Sequence, residues 1–150
     1  MEFKSVDEIL DFAITNEENA ATFYTALAGQ VKHDGLRKVF ETFAKEEKGH
    51  KAKLQGIKEG KTLRAAKGGV PDLKISDYLV EEEPGPDMNY QDALILAMKQ
   101  EKAAFKLYSD LAASTDDENL CTLFTGLAQE EAKHKLKFEI EYEDNILQDN

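Results

Sequence analysis

Apolar positions along this chain recur at helical intervals over four long stretches. Positions 10, 13, 17, 20, 24 and 27 advance by threes and fours, and so do 36, 40, 44, 47, 50 and 54. That spacing keeps the first set within a stripe about 100° wide on one helix face, the width that packs against a core. The pattern then returns 84 residues later. Laying 5–59 over 89–143 without a gap gives 16 identities in 55 positions, among them Leu10/Leu94, Tyr24/Tyr108, Leu36/Leu120 and Phe40/Phe124. Other pairs stay apolar without being identical, such as Phe43/Leu127 and Leu54/Phe138. The chain is therefore read as two copies of one two-helix unit.

The ends of the helices are marked by polar residues. Ser5-Val6-Asp7-Glu8 is a capping box, so helix A is expected over about 5–31. A turn at His33-Asp34-Gly35 leads into helix B, about 35–59. Asn89 is the natural N-cap of helix C, about 89–115, and Asp116-Asp117-Glu118 suits the positive end of helix D, about 117–147. Short turns make A antiparallel to B and C antiparallel to D. Between the pairs lies 60–88, with Gly68-Gly69-Val70-Pro71 and Pro84-Gly85-Pro86. A helix of about 25 residues is about 38 Å long, and a connection of that size can run the length of a bundle. The expected fold is all-α: one domain over 1–150, a four-helix bundle with a long B–C crossover, the topology of ferritin-like bundles.

Composition narrows the function. The chain has 30 Asp and Glu against 19 Lys and Arg, a formal charge of −11. Such a surface repels nucleic acid and anionic membranes, so neither is expected as a partner. No run of 18 apolar residues is available to span a bilayer. The N-terminal Met1-Glu2-Phe3-Lys4-Ser5 lacks the basic-then-apolar pattern of a secretory signal, and the expected location is cytoplasmic. Cys121, the one cysteine, cannot make an internal disulfide or a cysteine-rich metal site.

Most of the acid excess reads as solubility, and His33, in its turn, reads as surface. Four acids do not. On the helical wheel Glu17 lies about 20° and Tyr24 about 40° from Leu10, inside the apolar stripe of helix A. Glu47 lies about 20° from Phe40 on helix B, with His50 about 80° away and Glu46 about 120° away. The repeat places Glu101, Glu131 and His134 equivalently on helices C and D. Unpaired carboxylates in a core cost several kcal/mol each or take up protons. One arrangement makes them collectively favourable. A Glu from each of two helices and a Glu-x-x-His from each of the other two form the ligand set of a dinuclear metal site in a bundle. The i, i+3 spacing puts both groups of Glu-x-x-His on one face. Four carboxylates offset two divalent cations, and the oxygen and imidazole donors suit iron or manganese and admit zinc. The expected metal ligands are Glu17, Glu47, His50, Glu101, Glu131 and His134.

With Glu17-Glu18-Asn19-Ala20-Ala21-Thr22-Phe23-Tyr24 and Glu46-Glu47-Lys48-Gly49-His50 in the first half, and Glu101 through Tyr108 and Glu130-Glu131-Ala132-Lys133-His134 in the second, the chain resembles the rubrerythrins of the ferritin-like superfamily. The resemblance covers nearly the whole chain outside 60–88. It implies two iron ions bridged by Glu47 and Glu131, with Glu17, Glu101, His50 and His134 terminal, and zinc or manganese as substitutes. It implies that Tyr24 and Tyr108 hydrogen-bond to the ligands, although both also suit an ordinary aromatic core. It further implies reduction of hydrogen peroxide or dioxygen in oxidative-stress defence, and a homodimer. The alternatives are a ferroxidase or iron-handling protein, or a bundle with zinc or no metal that acts by protein interaction. Two positions depart from the family pattern. Ala104 stands where typical rubrerythrins carry a further glutamate one turn after the helix C ligand, and Ala20 is its helix A equivalent. Cys121 alone cannot build the four-cysteine rubredoxin iron site, so electrons are expected from a separate rubredoxin-like donor.

Overall fold

The computed structural model describes residues 5–60, 84 and 89–144. They form four α-helices in chain order: α1 (Val6–Gln30), α2 (Asp34–Gly60), α3 (Tyr90–Ala113) and α4 (Glu118–Tyr142). No strand occurs among the described residues. The architecture is a four-helix bundle.

Helix starts follow the capping chemistry written in the sequence. The Ser5 hydroxyl accepts the Glu8 N–H at 3.2 Å, the Asn89 side chain accepts from Asp92 at 2.8 Å, and Asp117 accepts from both Asn119 and Leu120. Each satisfies backbone donors that the first helical turn leaves free. Helix α2 starts differently from the expected turn. His33, exposed as expected, accepts the Leu36 N–H on its Nδ1 at 3.0 Å and the Arg37 N–H on its carbonyl at 2.9 Å. The imidazole thus stands in for a capping side chain, and α2 begins at Asp34. At the other end of the hairpin, Val31 turns to an extended conformation and closes α1 with an N–H to Leu27 O bond of 2.9 Å. Helix α3 ends at Ala113, two residues short of the expected 115, with Ser114 as its C-cap, the Ser114 hydroxyl donating to Asp110 O at 2.6 Å. Helix α4 ends at Tyr142 with Glu143 as cap; residues 145–147 of the expected helix D lie outside the described residues.

The core divides into two clusters stacked along the bundle. One joins the start of α1 (Ile9, Leu10, Ala13) and the end of α2 (Leu54) to the end of α3 (Leu107, Leu111) and the start of α4 (Leu120, Phe124). The other joins the end of α1 (Leu27, Val31) and the start of α2 (Leu36, Phe40) to the start of α3 (Ala93, Leu94, Ala97) and the end of α4 (Phe138). Two consequences follow from this membership. Each helix pair is antiparallel, as the short turns require, and α1 also runs antiparallel to α3. The end of α2 and the start of α3 therefore lie at opposite ends of the bundle. The expected 60–88 crossover falls almost wholly outside the described residues, but its two attachment points are separated as such a crossover requires.

Aromatic packing is uneven between the clusters. Tyr24, Phe40, Phe43 and Phe138 form a knot with ring centroids 5.2–6.1 Å apart, and toward the opposite end Tyr108 stacks on Phe124. Such pairs add about 0.5–1.5 kcal/mol each beyond the area they bury.

Candidate metal centre

Between the two apolar clusters lies a layer of charge. Glu17, Glu47, Glu101 and Glu131 are each at most 1% exposed, His134 is buried and His50 nearly so. The structure brings all six expected residues into one cluster. Seven-residue spacing explains why: Glu17 and Tyr24 on α1, like Glu101 and Tyr108 on α3, sit two turns apart on the same inward stripe. Antiparallel packing then sets each tyrosine against the glutamate of the other copy. Tyr108 Oη donates to Glu17 Oε1 at 2.5 Å, and Tyr24 Oη donates to Glu101 Oε1. The sequence left these tyrosines between two roles; both are core residues and both are hydrogen-bonded to the cluster.

The imidazoles enter from α2 and α4 with the same ring atom forward. His50 Nδ1 lies 3.4 Å from Glu131 Oε1, 3.5 Å from Glu17 Oε2 and 3.8 Å from Glu47 Oε2. His134 Nδ1 lies 3.2 Å from Glu47 Oε1, 3.3 Å from Glu101 Oε1 and 3.8 Å from Glu131 Oε2. Two overlapping sets result. Donor atoms of Glu17, Glu47, His50 and Glu131 all lie within 4.8 Å of one another, and so do those of Glu47, Glu101, Glu131 and His134. Glu47 and Glu131 belong to both.

Electrostatics show what this arrangement costs without a cation. Burial pushes the Glu17 carboxyl up to about 8, with Glu47 beside it adding to the effect. Burial likewise raises Glu101 to about 8. Glu131 is held well above the carboxylate range by burial and by the neighbouring Glu101. For His50, burial lowers the pKa, but the carboxylates of Glu131, Glu17 and Glu47 more than reverse that and push it up to about 12. His134 is raised in the same way, burial opposing and Glu47 favouring the charged ring. Tyr24 and Tyr108 are raised by burial and by the surrounding carboxylates, so both hydroxyls remain donors. Meanwhile Glu17 Oε2, Glu47 Oε1, Glu101 Oε2, Glu131 Oε1 and His50 Nδ1 are buried with no hydrogen-bond partner. A folded core satisfies such atoms almost without exception. Five of them converging on one space, with imidazole nitrogens forward, is a donor set that fits two hard-to-borderline divalent cations. The cluster is compatible with iron.

One residue of the site escaped the sequence reading. Glu46, about 120° round the wheel from Phe40, reads as outward-facing. Its carboxylate instead meets His134 Nε2, on the side of the ring away from the cluster. The wheel tracks where a side chain leaves the helix, not how far a glutamate reaches back along it. The signal that could have found it is the identity Glu46/Glu130 at the same 84-residue offset as the ligands. Two acids outside the cluster lie on the surface: Glu18 is exposed and pairs with Lys51 at 3.4 Å, and exposed Asp11 pairs with Lys58.

A four-helix bundle with a central layer of four glutamates and two histidines defines a ferritin-like carboxylate protein. Sequence and structure comparisons place the chain more closely. The rubrerythrin family profile matches residues 8–142, and this protein belongs to the rubrerythrin family. A protein from Thermotoga maritima described as ferritin-like and diiron-carboxylate has a similar fold, with 21% identity, TM-score 0.76, and 96% of this chain and 97% of that one covered. A hypothetical protein from Pyrococcus furiosus is similar at 28% identity and TM-score 0.66, over 93% of this chain and 89% of that one. The silver-soaked form of CopM shares the fold at 10% identity and TM-score 0.67, over 97% and 99% of the two chains. No curated protein matches the chain in sequence. No described helix is long and apolar enough to cross a membrane.

Proposed function

We propose that this protein holds two iron ions in the central cluster and uses them to reduce hydrogen peroxide or dioxygen. The observation that carries the reading is the pair of overlapping donor sets sharing Glu47 and Glu131, with five buried donor atoms left unpartnered between them. Membership of the rubrerythrin family supports iron over other cations. In this reading Glu17, Glu47, His50 and Glu131 would hold one ion and Glu47, Glu101, Glu131 and His134 the other. When bound, two iron(II) ions supply one electron each, which with two protons converts hydrogen peroxide to two molecules of water.

The chain's own residues provide the conditions. The Tyr24 and Tyr108 hydroxyls donate to Glu101 and Glu17, fixing one oxygen of each carboxylate and leaving the other free toward the centre. The apolar layers above and below exclude bulk water. Reduction back to iron(II) needs an electron source other than these 150 residues, whose one cysteine, Cys121, cannot build a four-cysteine iron site.

Anaerobic iron(II)-loaded protein mixed with hydrogen peroxide or with dioxygen in a stopped-flow instrument tests the proposal. Faster oxidation by peroxide, ending at two iron(III) per chain, is the expected outcome. Faster oxidation by dioxygen with accumulation of further iron(III) would assign the protein to iron handling instead.

A further inference from the structure

The two halves of the centre are not equivalent, although the duplication makes their ligands so. His134 is held on two sides by α2. The Phe43 ring stacks on the imidazole at 3.8 Å between centroids and 12° between planes, and the Glu46 carboxylate caps Nε2. The counterparts 84 residues on are Leu127, which has no ring to stack, and Glu130, which pairs with Lys133 on its own helix at 3.5 Å. His50 thus has no matching clamp among the described residues, and its side chain is 14% exposed against 4% for His134.

Glu46 is not placed to be a ligand. It stands behind the ring, in an open groove of about 440 Å³ lined also by Thr42, Phe43, Lys133 and Lys137. Lys38 lines the groove too; Lys133 and Lys137 are engaged elsewhere, with Glu130 and Glu141, each at 3.5 Å. The partner that the Glu46 carboxylate meets is His134 Nε2. In the neutral ring a donor at Nε2 leaves Nδ1 as the atom with a free lone pair, and Nδ1 is the atom 3.2–3.8 Å from Glu47, Glu101 and Glu131. A hydrogen bond on one ring nitrogen and a stacked plane together fix the rotation of an imidazole, and such partners of metal-ligating histidines are worth about 10- to 100-fold in metal affinity.

The geometry points to Glu46 as a positioning residue that holds His134 ready for metal and makes its position the tighter of the two. This rests on the reading of His134 as a ligand. The Glu101/His134 position is filled first, and the Glu17/His50 position, whose histidine is less constrained, is filled second. Glu46 touches neither metal nor oxidant; it acts through His134.

Cobalt(II) titration, followed by its visible absorption, tests this with a readout independent of turnover. The wild-type protein is expected to take up two cobalt ions in distinguishable steps. Glu46→Ala should weaken one step about 10- to 100-fold and leave the other in place. Glu46→Gln, whose amide oxygen still accepts from Nε2–H, should restore most of that loss, and Glu130→Ala should leave both steps unchanged. A second measurement needs no variant. In zinc(II)-loaded wild-type protein, proton–nitrogen NMR should show one imidazole N–H protected from solvent exchange and one not. The inference is overturned if Glu46→Ala binds as wild type does, if Glu130→Ala has the same effect as Glu46→Ala, or if both imidazole N–H groups exchange alike. Failure of wild-type protein to bind cobalt or zinc at all would instead remove the ligand reading on which it rests.

Discussion

Stripped of metal, the protein should become less stable as the pH rises, the reverse of the usual behaviour of an acidic protein near neutrality. The perturbation is chelation followed by a pH series. In the folded chain the Glu17 and Glu101 carboxyls are pushed from 4.5 up to about 8 by burial, whereas in the unfolded chain they are exposed and ordinary. Between those values the folded state binds more protons than the unfolded one, so stability is present below pH 4.5 and is lost as the pH climbs through 8. His50 acts in the same direction, since its folded pKa of about 12 lies above 6.5 and its contribution also fades with rising pH. One pKa unit corresponds to about 1.36 kcal/mol, so one carboxyl raised by about 3.5 is worth about 5 kcal/mol across the window. Glu17 and Glu101 face the same neighbours, and loss of the first proton holds the second in place. Only about 2.5 of those units lie above pH 5.5, so the first carboxyl to titrate gives an expected loss of about 3–4 kcal/mol between pH 5.5 and 8.5. For a chain of this length 1 kcal/mol moves Tm by about 2–4 °C, which gives a fall of roughly 7–14 °C. The assay is thermal unfolding by circular dichroism at 222 nm, with chelator present, across that range. Metal replaces the protons, so the loaded protein should hold its Tm through the same window and separate from the chelated protein increasingly with pH. Replacing Glu17 and Glu101 together by Gln should flatten the chelated profile. A chelated Tm that is constant or rising from pH 5.5 to 8.5 would refute the reasoning.

Three further outcomes are expected. Glu47→Ala removes an acid common to both donor sets and should leave less than one metal per chain after reconstitution, measured by elemental analysis, whereas Glu18→Ala on the exposed face of α1 should retain two. Phe138→Ala empties the middle of the aromatic knot, from a residue with no exposed surface, and should cost about 3–5 kcal/mol by denaturant unfolding. Gly49 sits on the exposed face of α2 with no atom within 4 Å of where a Cβ would stand, so Gly49→Ala should stabilise by about 1 kcal/mol and leave metal content unchanged.

How far the sequence carried depends on which physical property each feature expresses. Helical phase is local, and it alone sets Glu17, Glu47, Glu101 and Glu131 among apolar neighbours. Duplication then did the work of an alignment, since Glu-x-x-His occurring twice at one offset is hard to obtain without a shared origin. The roles of Tyr24 and Tyr108 were not decidable in the same way. Each reaches a glutamate 77 or 91 positions away, and that pairing exists only once α1 is known to run against α3. Glu46 was missed for a different reason, the length of its side chain. His33 illustrates a third limit: imidazole is an uncommon capping group, so a turn was legible but the cap was not. The inequality of Phe43 and Leu127 was in the sequence throughout; its meaning depended on what stacks on His134.

The crossed tyrosine bonds have a consequence for how the molecule is held together. Each copy of the unit donates a proton to an acid of the other, and each proposed metal position draws acids from both copies. Neither hairpin can assemble half a centre by itself. Ions bound there would act as rivets between two hairpins that the chain joins through the sequence between α2 and α3. Cutting that stretch in the loaded protein should leave the two pieces fastened, and adding chelator should then release them from each other.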